Sequence, residues 1–201
     1  MIHWWRILFC GITFTALMLP AVVRAEEQSS TFQLYGISHP EREADLKQIL
    51  QMIPAISDYQ LNQSGDHITL TYEPLELFAP QEQEQLQKNL PIPAEKTEQK
   101  LKELISQSSR NTFELLPAAE FSEEQFTRIE IPINPLDCKA CRFAVYSYIA
   151  KVPGVVRAKI STEPSLLTAW IDGSQTSHEA LLKILTDKNV PLPEDESAAA
   201  P

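Results

Sequence analysis

Cys138 and Cys141 lie three residues apart in the segment NPLDCKACRFAV, residues 134–145. An i, i+3 pair at a helix start lets both sulfurs converge on one small ion, or on each other. In the first helical turn, backbone N–H groups and the helix dipole favour thiolate over thiol. Lys139 and Arg142 add positive charge nearby, and Asp137 works against it. Two soft thiolates with no further obvious ligand suit two-coordinate d¹⁰ ions, Cu(I) first and Hg(II) second. Structural zinc takes four ligands, and His39, His67 and His178 do not fall at ligand spacing to the pair. In an oxidising compartment the same two thiols can close into a disulfide.

The elements that must hold this pair are legible around it. Thr127 to Ile133 alternates, with Ile129, Ile131 and Ile133 on one face and Arg128 and Glu130 on the other, which predicts a strand. From Cys141 onward Ala144, Val145, Tyr148, Ile149 and Val152 recur at three- and four-residue steps, the stripe of an amphipathic helix, and Pro153-Gly154 ends it. Strands follow over 155–160 and 166–171, with a turn around Glu163-Pro164. Thr176-Ser177-His178-Glu179 has the spacing of a capping box ahead of a second helix that buries Ala180, Leu181, Ile184 and Leu185. A short edge strand is expected near Val190 to Pro193. The order βαββαβ in about 65 residues is the ferredoxin-like split-βαβ arrangement.

A shift of 99 positions lays residues 32–73 on 131–172 without a gap, Pro54 falling on Pro153 and Ile56 on Val155. Leu46, Ile49, Leu50 and Ile53 fall on Val145, Tyr148, Ile149 and Val152, and the strand residues Ile68, Leu70 and Tyr72 fall on Leu167, Ala169 and Ile171. The chain therefore reads as α+β, two ferredoxin-like βαββαβ domains in tandem, the product of a diverged duplication. The first spans 31–117 and the second 127–193, with 118–126 as linker and 194–201 as a disordered tail. One reading ends the first domain near 93, with PQEQEQLQKNL (80–90) as its second helix. The favoured reading makes EKTEQKLKELISQ (95–107) that helix and TFELLP (112–117) the last strand, because 80–90 offers little beyond Leu86 and Leu90 to bury.

At the N-terminus Arg6 precedes an apolar run from Ile7 to Leu19, and Val23-Arg24-Ala25 precedes Glu26-Glu27. This reads as a secretory signal over 1–25, cut after Ala25 and removing Cys10 with it. The mature chain keeps 15 basic residues against 27 acidic ones, a formal charge of about −12. Nucleic acid and anionic lipid are therefore not expected partners. No later stretch is apolar and long enough to cross a membrane, so no membrane insertion is expected after cleavage, and the protein is expected to be periplasmic or secreted.

The segment PLDCKACRFAVYSYIAKVPGVVRAKIS, with LLTAWID and TSHEALLKILTDKNV after it, resembles the heavy-metal-associated domain. That module is found in copper chaperones, in the N-terminal regions of copper-transporting P-type ATPases and in periplasmic mercury-binding proteins. Cys138, Cys141, Pro153, Gly154 and Val155 meet its pattern. The resemblance implies a soft metal carried on Cys138 and Cys141 and handed by ligand exchange to or from the thiols of a donor or acceptor protein, a membrane metal transporter among them. Leu136 stands where the family usually has Met, and Asn189-Val190 where Gly and an aromatic residue or Lys are common. In the first half His39 takes the place of Cys138 and Arg42 that of Cys141. Arginine has no lone pair for a metal, so that half is read as a degenerate copy, structural or partner-binding, with His39 at most an auxiliary ligand.

Two alternatives to a metal carrier stay open on the residues. One is a thiol–disulfide redox protein; the other is a non-catalytic interaction module with a vestigial metal site. No Ser/His/Asp arrangement, paired carboxylates or phosphate-cradling glycines stand out, so the chain is not expected to be an enzyme.

Overall fold

The computed structural model describes residues 27–118 and 125–193. The expected signal segment, the expected tail and most of the expected linker lie outside them. None of the described helices is long and apolar enough to cross a membrane.

In the first half, β1 (Gln28–Tyr35), α1 (Glu41–Gln51), β2 (Ile56–Leu61) and β3 (His67–Tyr72) follow in order. Two short 3₁₀ turns flank α2 (Pro80–Leu86), and α3 (Ala94–Ser108) and β4 (Glu114–Pro117) complete the half. The sheet order β2-β3-β1-β4, antiparallel throughout, is that of a ferredoxin-like fold. The alternation of β3 places Ile68, Leu70 and Tyr72 in the core, and α1 brings Leu46 and Leu50 down onto it. α3 is the helix that closes this core, through Thr97, Leu101 and Ile105, whereas α2 buries no residue. The stretch between β3 and α3 is nonetheless anchored, because Leu77, Phe78 and Ile92 enter the same core.

The second half repeats the plan: β5 (Thr127–Pro132), α4 (Lys139–Ala150), β6 (Val155–Thr162), β7 (Ser165–Ile171) and α5 (His178–Asp187). Each strand and helix from β5 to β7 starts within a residue of its first-half counterpart displaced by 99 positions. The ladder irregularity at Ile56/Asp58 in β2 recurs at Val155/Arg157 in β6.

Four expectations need correction. The buried face of α5 is Leu181, Leu182 and Leu185, and Ala180, expected on it, is exposed. The second sheet has three strands, β5-β7-β6, and no strand forms over 190–193. Pro191 and Pro193 lack the N–H groups a ladder needs; the segment instead accepts from Asn134, its Pro191 carbonyl from the backbone N–H at 2.9 Å and its Leu192 carbonyl from the side chain, and buries Val190. The cap of α5 is Ser177, whose Oγ accepts the Ala180 N–H, one residue later than the capping-box spacing suggested. The buried face of α4 is Arg142, Val145, Tyr146 and Ile149, while Tyr148 is exposed. This helix packs against two partners, its own sheet and the first half, and the second partner pulls the buried stripe toward Tyr146.

That second partner is substantial. Tyr35, at the end of β1, belongs to the core of the second half, its ring 5.2 Å from that of Tyr146 and edge-on to Phe143. The Gly36 N–H donates to the Tyr146 hydroxyl at 3.0 Å, and the Ile160 N–H of β6 donates to the Ser38 carbonyl at 2.9 Å. Burial pushes the Tyr146 phenol well above its ordinary pKa, against the Gly36 hydrogen bond, which pulls the other way. From the turn between β2 and β3, Asp66 pairs with Arg157 of β6, both side chains about nine-tenths buried, and the Ser64 carbonyl accepts from Lys159. The halves thus meet along β6 and the side of α4 that carries Phe143 and Tyr146.

Candidate metal centre

Cys138 is the N-cap of α4: its backbone is extended, and its Sγ accepts the Cys141 N–H at 2.9 Å. Cys141 sits in the first turn, as the spacing required. Both residues are exposed, and their sulfurs are joined as a disulfide. The loop before them is held from below. Leu136 packs against the second core, filling the place where Met was expected, and the Asn134 side chain donates to the Leu192 carbonyl.

Arg142 follows Cys141 directly and is buried. Its Nη1 donates to the carbonyls of Leu136, at 2.9 Å, and Asp137, at 3.4 Å, which fixes the backbone leading into Cys138. Its Nη2 reaches across the interface to Glu41 Oε2 at 2.8 Å, while Nε is buried with no hydrogen-bond partner. Lys139 is likewise paired outside its own half, with Asp45 Oδ1 at 2.8 Å. Burial works against the Asp45 charge, but Lys139 and Arg42 outweigh it and hold the carboxyl below the usual range. Lys139 and Arg142 were expected to bias the sulfurs toward thiolate. In the folded chain two carboxylates of α1 compensate those charges.

The residues that stand 99 positions before the cysteines, His39 for Cys138 and Arg42 for Cys141, lie near this same junction. The Arg42 guanidinium lies over the Phe113 ring of its own half at 4.3 Å and over the Phe143 ring of α4 at 4.8 Å. It donates to the carbonyls of Gly36 and Thr112 and pairs with Asp45 at 2.9 Å. Each half supplies one ring to this stack. His39 accepts a long hydrogen bond from the Glu41 N–H and lines a shallow hollow with Arg128, Lys159 and Trp170. His67 opens β3 with its Nδ1 3.3 Å from Asp66, and His178 is the first residue of α5.

Among the described residues no three His, Cys, Asp or Glu side chains group as a metal site. The donor set at the exposed loop is therefore the two sulfurs, which fits a two-coordinate soft ion once the disulfide is reduced and does not fit four-coordinate zinc. The sequence pointed to the two cysteines but not to Glu41, Asp45, the ring stack of Arg42 or the buried role of Arg142. A signal for the last was present: Arg142 stands three and seven residues before Val145 and Ile149, on their face of the helix.

No family model and no curated protein matches the sequence. Several solved structures do. Oxidised MerP from Ralstonia metallidurans CH34 is similar over 34% of this chain and 94% of its own, at 25% identity and a TM-score of 0.32. The water-soluble region of the P-type ATPase CopA from Bacillus subtilis is similar over 86% and 94%, at 14% identity and a TM-score of 0.32. The N-terminal extension of CzcP from Cupriavidus metallidurans is similar over 81% and 97%, at 11% identity and a TM-score of 0.29.

Proposed function

We infer that the chain is an exported carrier of a soft metal ion, Cu(I) in first place and Hg(II) in second, held by Cys138 and Cys141. The observation that supports this most is the exposed sulfur pair at the N-terminus of α4, one sulfur already accepting a helix N–H, with no third ligand grouped beside it among the described residues. Such a site binds by thiolate and releases by exchange with another protein's thiols, so the expected partner is a metal donor or acceptor, a membrane metal transporter among them. The disulfide means that reduction must precede loading. The first half is a diverged copy that has lost its ligands and kept its fold, and the mature chain works in the periplasm or outside the cell.

The reduced protein, titrated anaerobically with Cu(I), is expected to bind one ion tightly per chain, and Cys138→Ser/Cys141→Ser is expected to lose that binding entirely. Absence of stoichiometric binding, or binding that survives in the double variant, sinks the reading. The disulfide itself favours a second reading, thiol–disulfide exchange, which predicts activity on a scrambled disulfide substrate by the metal-free protein.

A further inference from the structure

Lys139 lies between the two cysteines and Arg142 directly follows them, and both cations have their counter-ions on the other half of the chain. Lys139 meets Asp45 and Arg142 meets Glu41, each at 2.8 Å, and both carboxylates belong to the first two turns of α1. Arg142 also carries the carbonyls of Leu136 and Asp137, so Glu41 holds the group that holds the loop. Glu43, in the same turn of α1, is exposed and outside both pairs.

We propose that Glu41 and Asp45 of the first half are positioning residues for the cysteine pair, setting its reduction potential and its hold on a metal by cancelling the positive field of Arg142 and Lys139. The physics is direct. Reduction by two glutathione molecules breaks the Cys138–Cys141 bond and forms one in oxidised glutathione; the two glutathione protons pass to the pair, or to water where a sulfur stays thiolate. A thiolate is stabilised by uncompensated cations beside it, and so is the anionic bis-thiolate complex of a monovalent ion. Each carboxylate on α1 reduces that stabilisation, leaving the disulfide harder to reduce and the metal easier to release. The redox part of this inference stands on the disulfide alone; the metal part rests on the carrier reading.

The test equilibrates the mature protein with glutathione buffers and counts reduced chains by thiol alkylation. Glu41→Gln/Asp45→Asn keeps the hydrogen-bonding shapes and removes both charges. It is expected to shift the equilibrium roughly 3- to 10-fold toward the dithiol, about 15–30 mV less negative for this two-electron couple, and to shift less in 1 M salt, where exposed charges are screened. Lys139→Met, a change at a half-exposed residue, is expected to move the potential the opposite way. Glu43→Gln, the same loss of charge nearby, is expected to change the equilibrium less than about twofold. A double variant no different from Glu43→Gln, a shift that 1 M salt leaves intact, or a Lys139→Met shift of the same sign overturns the proposal. In parallel, Cu(I) competition against a chromogenic chelator is expected to show tighter binding by the double variant. If the unaltered protein binds no Cu(I), the carrier reading fails while the potentials still decide the role of Glu41 and Asp45.

Discussion

Gly36→Ala is expected to destabilise the protein by about 4 kcal/mol, composed of about 2 kcal/mol of backbone strain and about 2 kcal/mol of overpacking. Gly36 has φ +116°, outside the reach of side-chain-bearing residues at ordinary cost. A Cβ there overlaps the Thr112 carbonyl oxygen and comes within 2.6 Å of the Phe113 ring. Neither neighbour can yield, since Phe113 is buried under the Arg42 guanidinium and the Thr112 carbonyl accepts from it. The same residue donates its N–H to Tyr146 and its carbonyl accepts from Arg42, so the damage falls on the junction of the halves. Urea denaturation measures the loss, and Gly65→Ala is the control. Gly65 also has positive φ, but its Cβ would touch only Ile37, at 3.4 Å, and a loss of about 1 kcal/mol is expected. Equal losses at the two positions would mean that Gly36 is needed for its backbone angle alone.

Asp66→Ala is expected to cost about 3 kcal/mol at neutral pH, because it leaves the Arg157 guanidinium buried without that counter-charge. The pH dependence carries more information than the magnitude. Burial alone would raise the Asp66 pKa; hydrogen bonds from Ser64 and Asn62 and the Arg157 charge outweigh it and hold the carboxyl far below the usual range. A carboxyl near 4 in the unfolded chain and lower in the folded one stabilises the fold above about pH 4, and that stability is lost as pH falls toward the folded value. The stability gap between the unaltered protein and Asp66→Ala is therefore expected to be flat from neutral pH down to about 5 and to narrow below about 4, as read from thermal melts at each pH. A gap independent of pH would show that Asp66 acts through packing and not through its charge.

Much of each half was readable because its signals are local. Strand alternation at Ile129, Ile131 and Ile133 and at Ile68, Leu70 and Tyr72 reports burial directly, and the choice of 95–107 over 80–90 as the closing helix followed from which segment had a face to bury. The closeness of the Cys138 and Cys141 sulfurs was readable for a similar reason, since it depends on a three-residue spacing at a helix start. The junction was not readable. Arg142, Arg157, Asp66, Glu41 and Asp45 look in sequence like the solvated charges of any acidic protein, and their partners lie on average about a hundred residues away. Tyr146 was placed off the buried stripe because periodicity assumes one packing partner per helix. The strand expected over 190–193 failed on its own chemistry, two prolines in four residues.

The stack of Arg42 between Phe113 and Phe143 also limits what else this position can hold. Arg42 stands 99 positions before Cys141 and engages two ring faces, two carbonyls and a carboxylate. Placing a cysteine at this position would remove these contacts and loosen the junction that they tie. A second sulfur site beside β1 and a closed junction between the halves therefore compete for one side chain.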